Sequence, residues 1–204
     1  MSLATRERAV VEHIAAHEDE LVALVSDLIA FDTTARAAPD HPARDERGLQ
    51  EYLAGRLTSA GANCDLWEPR SEDVAGSKLA PTGLGFEGRP QLTATFAGSG
   101  GGKSLLLNGH IDVVSPEPRE RWTSLPFRAE VREGRLYGRG ACDMKAGIAA
   151  AVYAAEMPMV AGWRWTADSP RPECRTPAHP AQPGGRRSRG LSESFQLTGT
   201  VWGE

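Results

Sequence analysis

An apolar strand pattern that ends in a histidine and an aspartate limits what this chain can fold into. Residues 103–108 contain a short apolar run typical of a buried strand, and His110 and Asp112 follow it after a glycine. In α/β sheets the carboxyl ends of the strands carry the ligand-binding side chains. Further along, a glycine-bounded turn delivers Asp143 to the start of an alanine-rich helix pattern. The sequence therefore predicts an α/β domain with polar ligands at an edge of its sheet.

The remaining patterns of the N-terminal region support the α/β class, because helices and strands follow one another along the chain. The first helix pattern is interrupted near His17, and the second is bounded by Asp45 as N-cap and Gly61 as C-cap. Pro158 is expected to end the last helix. The predicted elements are helices over residues 5–29, 45–60 and 146–156, strands over 63–68, 91–96 and 103–108, and a hairpin over 127–137 that turns at Glu133 and Gly134.

Composition and charge exclude several classes of function. A chain of 204 residues with 40% hydrophobic residues is long enough for one α/β domain, alone or with a loose tail. The net charge of −4 gives no basic face for nucleic acid. Residues 1–20 are too charged for a signal peptide, and no apolar run reaches the roughly 20 residues that cross a bilayer. Because the three cysteines lack a CxxC spacing, we expect free thiols in a reducing compartment. Together these features lead us to expect a soluble, cytoplasmic protein with no nucleic-acid or membrane partner.

The composition changes after Glu156. Residues 157–204 show no hydrophobic period and are rich in proline, arginine and glycine, so they offer no apolar face that would offset the entropy of ordering them. Two explanations stay open: a natural Pro/Arg-rich tail, and a shifted reading frame in GC-rich DNA, which we favour. The chain is therefore divided into residues 1–156, which carry the patterned elements, and residues 157–204, a non-homologous tail that is disordered or frameshifted.

The three polar residues have the chemistry of a metal site. Asp112 lies two positions after His110, so in an extended chain both side chains project to the same side and the carboxylate holds the imidazole by a hydrogen bond. Asp143 is a hard oxygen ligand whose two oxygens are able to bridge two cations. Two metal ions about 3.5–4 Å apart activate a shared water and polarise a substrate carbonyl. The pattern therefore favours the first half of a two-metal hydrolase site.

A longer run of residues resembles a known family, although a His-x-Asp pair taken alone is more often structural. The chain is similar over residues 5–156 to the zinc-dependent family of acetylornithine deacetylase, succinyl-diaminopimelate desuccinylase, aminoacylase and glutamate carboxypeptidase. The resemblance implies that residues 1–156 are the N-terminal part of a three-layer α/β/α zinc-peptidase-like catalytic domain. It is carried by Gly109-His110-x-Asp112-Val113-Val114, Trp122, Pro126-Phe127, Gly134-Arg135 and Tyr137-Gly138-Arg139-Gly140-x-x-Asp143-Met144-Lys145.

The resemblance also implies roles for individual residues. His110 would ligate one metal ion, Asp143 would bridge two, and Asp112 would be the catalytic residue that orients His110. Two zinc ions per site are implied, with cobalt as an alternative, together with a cis peptide bond between Asp143 and Met144. The implied substrate is a small N-acyl amino acid or peptide, and the family protein is a homodimer. The implied function is metal-dependent hydrolysis of amide bonds, of the deacetylase or desuccinylase type.

The sequence departs from the family pattern after Asp143. The family has an adjacent Glu-Glu pair, whose first member takes the proton from water, and a smaller lid and dimerisation domain; neither is seen after Asp143. A catalytic zinc site has three protein ligands and a water, and a general base contributes a factor of about 10²–10⁴ in rate. We therefore expect the chain as written to be inactive. The later acids and histidine are isolated, namely Asp168, Glu173, Glu193, Glu204 and His179.

Two other classes of function stay open. One is a non-catalytic remnant that binds a metal ion or a partner without turnover. The other is an interaction protein whose Arg/Pro tail binds an acidic or SH3-like partner, for which Pro180 and Pro183 have PxxP spacing. Because the sheet would be unfinished, we expect an unpaired strand edge and self-association.

Overall fold

The computed structural model of the chain describes residues 3–35, 44–74, 85–98, 105–160 and 194–199. The helices are α1 (Leu3–Ala16), α2 (Glu18–Ala30), α3 (Glu46–Ser59) and α4 (Ala146–Val160). The strands are β1 (Asn63–Trp67), β2 (Gln91–Ala97), β3 (Leu105–Gly109), β4 (Glu130–Arg132), β5 (Arg135–Tyr137) and β6 (Ser194–Gly199). Short helical turns cover Ser71–Val74, Arg119–Arg121 and Ala141–Lys145.

The predicted helices are present, with differences at their ends. The break expected near His17 separates α1 from α2. Gly61 follows α3 with a φ of 92°, the left-handed backbone that ends a helix without a Cβ clash. Asp45 precedes α3 as expected, but its side chain makes no capping hydrogen bond. The prediction that Pro158 ends α4 is wrong: the helix reaches Val160, because a proline in the last turn removes only one backbone donor.

Four strands form a mixed sheet in the order β1-β2-β6-β3. β1 pairs antiparallel with β2, β2 pairs antiparallel with β6, and β6 pairs parallel with β3. β6 comes from the segment predicted to be a non-homologous tail, so that segment is not uniformly without secondary structure. The division of the chain at residue 156 stays a prediction. β4 and β5 form a separate hairpin that turns at Glu133 and Gly134, as predicted.

The core lies on one face of the sheet, where α3 packs against β1 and β2, α4 packs against β3, and α2 packs against α4. The alternate residues Leu92, Ala94 and Phe96 of β2 are buried, as a strand with one covered face requires. Apolar side chains of the three helices complete the same cluster. Arg56 of α3 and Glu156 of α4 join these helices by two hydrogen bonds of 2.8 Å. The α/β class is confirmed, and the described part of the chain supplies one helical layer of the expected three-layer domain.

β3 lies at an edge of the sheet as far as the described residues show, since it pairs there with β6 alone. Leu105 and Leu106 are consequently 49% and 43% exposed, so the prediction of a buried strand is wrong for these two residues. Leu107 packs against the core and Gly109 is buried. β3 therefore combines an exposed apolar edge with a buried end.

The described helices include none with the length and apolar character that crossing a bilayer requires. The longest of those with described ends is α4, at 15 residues. A bilayer-spanning helix needs about 20 predominantly apolar residues, so α4 falls short of that length.

Candidate metal-binding site

His110 lies at the carboxyl end of β3. The strand ends at Gly109, and His110 follows immediately. Beyond Asp112 the chain runs beside the segment that follows α2, where Val113 forms a parallel bridge with Thr34. These contacts hold the backbone on both sides of Asp112. The fold therefore fixes where the histidine and the aspartate lie.

A tight turn delivers Asp143 to the same place. Gly140 has a φ of 80°, and a Cβ at this position would lie 2.4 Å from Cγ1 of Val113. Glycine is therefore required for the turn to approach the segment after β3 so closely. The peptide bond between Asp143 and Met144 is cis, as the resemblance implied. α4 begins at Ala146, directly after this turn, so Asp143 stands at a junction between turn and helix.

The imidazole of His110 lies between two carboxylates. Its Nδ1 is 3.1 Å from Oδ1 of Asp112 and 3.1 Å from the carbonyl oxygen of the same residue. Its Nε2 is 2.9 Å from Oδ1 of Asp143. Since Nδ1 is flanked by two oxygens of Asp112, we place the proton of the neutral ring there, which leaves the lone pair of Nε2 directed at Asp143. The contact predicted from the His-x-Asp spacing is present.

The nitrogen and oxygen that face each other fit a divalent metal ion. Zinc binds imidazole nitrogen and carboxylate oxygen at about 2.0–2.2 Å in a tetrahedral arrangement, which places neighbouring ligand atoms roughly 3.3–3.6 Å apart. His110 Nε2 and Asp143 Oδ1 are 2.9 Å apart, so the two atoms would separate by about half an ångström to hold an ion between them. The Asp143 side chain is 83% exposed, so an ion would have access from solvent. Within the described ranges, no group of three or more histidine, cysteine or acidic residues is placed to hold a metal ion.

Burial and neighbouring charges act in opposite directions on Asp112. The residue is 8% exposed, and the resulting desolvation raises the pKa of its carboxyl above the usual value. The charge of Arg89 opposes this rise, as does the hydrogen bond with His110, because both favour the carboxylate. Arg89 is itself buried, and its Nε lies 3.1 Å from Oε1 of the buried Glu46. Charges of alternating sign on Glu46, Arg89 and Asp112 therefore run from the core to the imidazole of His110.

Lys145 anchors the turn that carries Asp143. Its side chain is 1% exposed, and Nζ donates hydrogen bonds of 2.8 Å to the carbonyl oxygens of Leu28 and Phe31. These carbonyls lie at the end of α2, where the helix dipole favours a cation. Burial lowers the pKa of Lys145 to about 8, and two nearby aspartates oppose the shift. The turn is therefore tied to α2 by a buried cation.

Sequence reasoning found the three predicted site residues and missed the charges that support them. The structure brings His110, Asp112 and Asp143 together, while their roles stay predictions. Glu46 and Arg89 were not singled out, and Lys145 was named only as part of the motif that carries the resemblance. Their burial is what marks these charged residues as part of the site, and the local sequence pattern does not indicate burial. The later acids and His179 lie outside the described residues: Asp168, Glu173, Glu193 and Glu204.

Two curated relatives align with the N-terminal region. Residues 106–162 also match a family model described as Peptidase family M20/M25/M40. The chain is 36% identical over 152 residues to N-formyl-4-amino-5-aminomethyl-2-methylpyrimidine deformylase of Halalkalibacterium halodurans, an alignment that covers 72% of this chain and 31% of the relative. It is 40% identical over 138 residues to succinyl-diaminopimelate desuccinylase of Xanthomonas oryzae pv. oryzae, covering 68% and 30%. The chain thus spans about a third of the length of these relatives.

Solved structures share the fold at low sequence identity. Human carnosine dipeptidase 1 superposes with a TM-score of 0.62 at 18% identity, covering 93% of this chain and 33% of the dipeptidase. The M20 family metallo-carboxypeptidase Sso-CP2 from Sulfolobus solfataricus gives a TM-score of 0.58 at 17% identity, covering 88% and 30%. At these identities the likeness concerns the fold alone. It agrees with the α/β class and with a partial domain.

Proposed function

We propose that the chain is the first part of a metal-dependent hydrolase of amide bonds, because residues 106–162 match the model of peptidase family M20/M25/M40 and the N-terminal region aligns with a deformylase and a desuccinylase. The proposed substrates are N-acyl amino acids or small peptides. The observation that carries the proposal is the 2.9 Å approach of His110 Nε2 to Asp143 Oδ1, with Asp112 on the opposite ring nitrogen. A nitrogen ligand and a bridging carboxylate are what such a site needs from this half of the domain.

The proposed ion is zinc, two per site, with cobalt as an alternative. Ions bound in such a site polarise the amide carbonyl and lower the pKa of water. His110 offers a neutral nitrogen ligand, and Asp143 offers two oxygens from an exposed position. Asp112 holds the His110 ring in one orientation with its proton on Nδ1, which raises the basicity of Nε2. Arg89 supports the anionic form of Asp112 against the cost of its burial.

The names of the relatives support the substrate class. One is named for removal of a formyl group and the other for removal of a succinyl group, while the fold neighbour is named as a dipeptidase. The bond common to these names is an amide bond in a small molecule. We therefore propose a small-molecule substrate for this chain, without a nucleic-acid or membrane partner. A cytoplasmic location and a homodimer built through other parts of the family protein belong to the same proposal.

The described residues alone do not complete this chemistry. His110 and Asp143 are two ligands, whereas a catalytic zinc site uses three and a water. After Asp143 the sequence shows no Glu-Glu pair to take the proton, and such a base contributes a factor of about 10²–10⁴ in rate. We therefore expect no measurable hydrolysis by the 204-residue chain. The same incompleteness favours a second candidate, a non-catalytic remnant that binds metal without turnover.

An activity assay and a DNA sequence separate the two candidates. The purified chain is incubated with N-acetyl and N-succinyl amino acids, with and without zinc or cobalt, and metal-dependent release of the acyl group would contradict the expected inactivity.

The coding DNA beyond codon 156 is then resequenced and translated in every forward frame. A frame that contains a Glu-Glu pair and later Asp and His ligands supports a complete amidohydrolase gene. Its absence from all frames supports the remnant.

A further inference from the structure

A cleft opens beside Asp143, between the helical turn Arg119–Arg121 and the β4–β5 hairpin. Its volume is about 350 Å³, which lies within the range of small-molecule sites, about 300–1,000 Å³. Ala141 and Cys142, the two residues before Asp143, form part of its wall. The cleft therefore adjoins the proposed metal ligands, although neither ligand is among its lining residues.

The walls of the cleft are aromatic and positively charged. Trp122 and Tyr137 line it together with the side chains of Arg121 and Arg132. Trp122 is held by a 2.8 Å hydrogen bond that its Nε1 donates to the carbonyl oxygen of Pro116. The ring is therefore fixed before any ligand arrives, which lowers the entropy lost on binding.

The two arginines of the cleft differ in their partners. The Arg132 guanidinium lies 4.4 Å from the centre of the Tyr137 ring, donates a 3.2 Å hydrogen bond to Thr123 Oγ1 and is 3.3 Å from the Glu130 carboxylate. Its charge is therefore partly neutralised. The Arg121 side chain forms no hydrogen bond or ion pair with another described residue. Of the two arginines that line the cleft, Arg121 is thus the one whose charge is available to a ligand.

We propose that the cleft is a carboxylate-binding subsite for the substrate of the proposed hydrolase. Arg121 pairs with the acid group of the bound molecule, because a guanidinium matches a carboxylate with two parallel hydrogen bonds. Trp122 and Tyr137 cover the apolar part of the same molecule. The inference rests on the proposed function, because it assumes that the amide bond is hydrolysed beside Asp143. The preference for a negatively charged substrate depends on the residues of the cleft. The acid group comes from the amino acid or from a dicarboxylic acyl group.

Binding is measured without metal, so that the result does not depend on the proposed metal ligands. The chain is treated with EDTA and titrated by calorimetry at constant ionic strength with N-acetyl-L-alanine, N-succinyl-L-alaninamide and the neutral N-acetyl-L-alaninamide. We expect at least one carboxylate to bind about three- to fivefold more tightly than the neutral amide, the range that an exposed charge pair supplies. The carboxylate that binds more tightly identifies the source of the acid group.

Substitution of Arg121 tests the residue itself. Arg121→Gln is expected to remove the advantage of the carboxylates, and Arg121→Lys to keep part of it. Arg128→Gln, a change of an exposed arginine that does not line the cleft, is expected to leave binding unchanged. Circular dichroism checks that each variant is folded.

Three results would overturn the subsite. They are equal binding of the neutral amide, an equal loss in Arg128→Gln, and no binding of any of the three compounds. Failure of zinc binding at His110 and Asp143 is a different result, because it would remove the proposed function and leave the charge selectivity of the cleft as measured.

Discussion

β2 and β3 carry similar apolar patterns and lie in different environments. Leu92 and Ala94 of β2 are 0% exposed, whereas Leu105 and Leu106 of β3 are 49% and 43% exposed. β2 has a strand on each side, while β3 has one on a single side among the described residues. An apolar pattern therefore predicts a strand, but the elements around it decide how much of the strand is buried.

The residues that stabilise the fold and the residues of the candidate site lie in different parts of the molecule. We call α2, α3, α4 and β2 the core region, and β3 with residues 110–145 the site region. The core region holds the apolar cluster. The site region places Asp143 where its side chain is 83% exposed. Substitutions in the core region are expected to lower the free energy of unfolding, and those in the site region to change binding or association.

A large loss of stability is expected at the buried ion pair of Glu46 in α3 and Arg89 just before β2. Arg89→Met leaves Glu46 buried without its partner, and breaking a buried pair costs about 3–5 kcal/mol. Urea unfolding measures the loss. The double variant Arg89→Met with Glu46→Leu removes both charges and is expected to recover part of the stability, because Asp112 still lacks the charge of Arg89. An Arg89→Met chain as stable as the parent would show that the pair does not stabilise the core region.

A matched pair of leucine truncations tests the contrast between the two regions. Leu53→Ala in α3 leaves a cavity at a fully buried position, which costs about 2–5 kcal/mol. Leu105→Ala in β3 removes a half-exposed side chain and is expected to cost less than about 1 kcal/mol. Both are measured by urea unfolding. Equal losses would mean that the edge of β3 is covered in solution.

Lys145 connects the site region to α2 of the core region, and its contribution to the free energy of unfolding is expected to depend on pH. Burial lowers its pKa from 10.5 to about 8. Between these values the unfolded chain binds more protons than the folded chain, so the contribution of Lys145 to stability rises with pH, by on the order of 2 kcal/mol. Other groups titrate in the same window, so the measurement compares the parent with Lys145→Met at about pH 7.5 and about pH 10. Parallel pH profiles would contradict a lowered pKa at Lys145.

The smallest effect on stability is expected at the exposed edge. Leu106→Lys should change the free energy of unfolding by less than about 0.5 kcal/mol. It should nevertheless reduce self-association in sedimentation velocity, because a lysine on an edge strand opposes pairing with a second copy. Leu92→Lys in β2 is the matched substitution in the core region and is expected to unfold the chain. Unchanged association in Leu106→Lys would show that copies do not meet at β3.

Local patterns predicted much of the fold and of the candidate site. The break at His17, the hairpin turn at Glu133 and the contact between His110 and Asp112 each depend on residues close together in the sequence. The resemblance drawn from the longer run is confirmed by the family model over residues 106–162. The metal roles of the site residues stay predictions.

Features that depend on distant partners escaped prediction. Lys145 is buried because the carbonyl oxygens of Leu28 and Phe31 accept its protons, and no spacing near Lys145 reveals those partners. Arg89 and Glu46 are a second case, since residues far apart in the sequence form their ion pair. Such partners become visible only when the elements pack.

β6 is the clearest case of long-range pairing. Gly199 pairs in parallel register with Gly109, so the chain leaves β6 at the same end of the sheet as His110. The paired residues lie 90 positions apart in the sequence, so local patterns did not reveal this pairing.

A zinc titration of the chain by calorimetry tests whether His110 and Asp143 hold a metal ion. We expect His110→Ala and Asp143→Asn each to abolish binding and Asp112→Asn to weaken it about 10–100-fold. The control His13→Ala, a change of a histidine in α1, should leave binding unchanged. Zinc binding that survives both His110→Ala and Asp143→Asn would show that these residues are not the metal ligands.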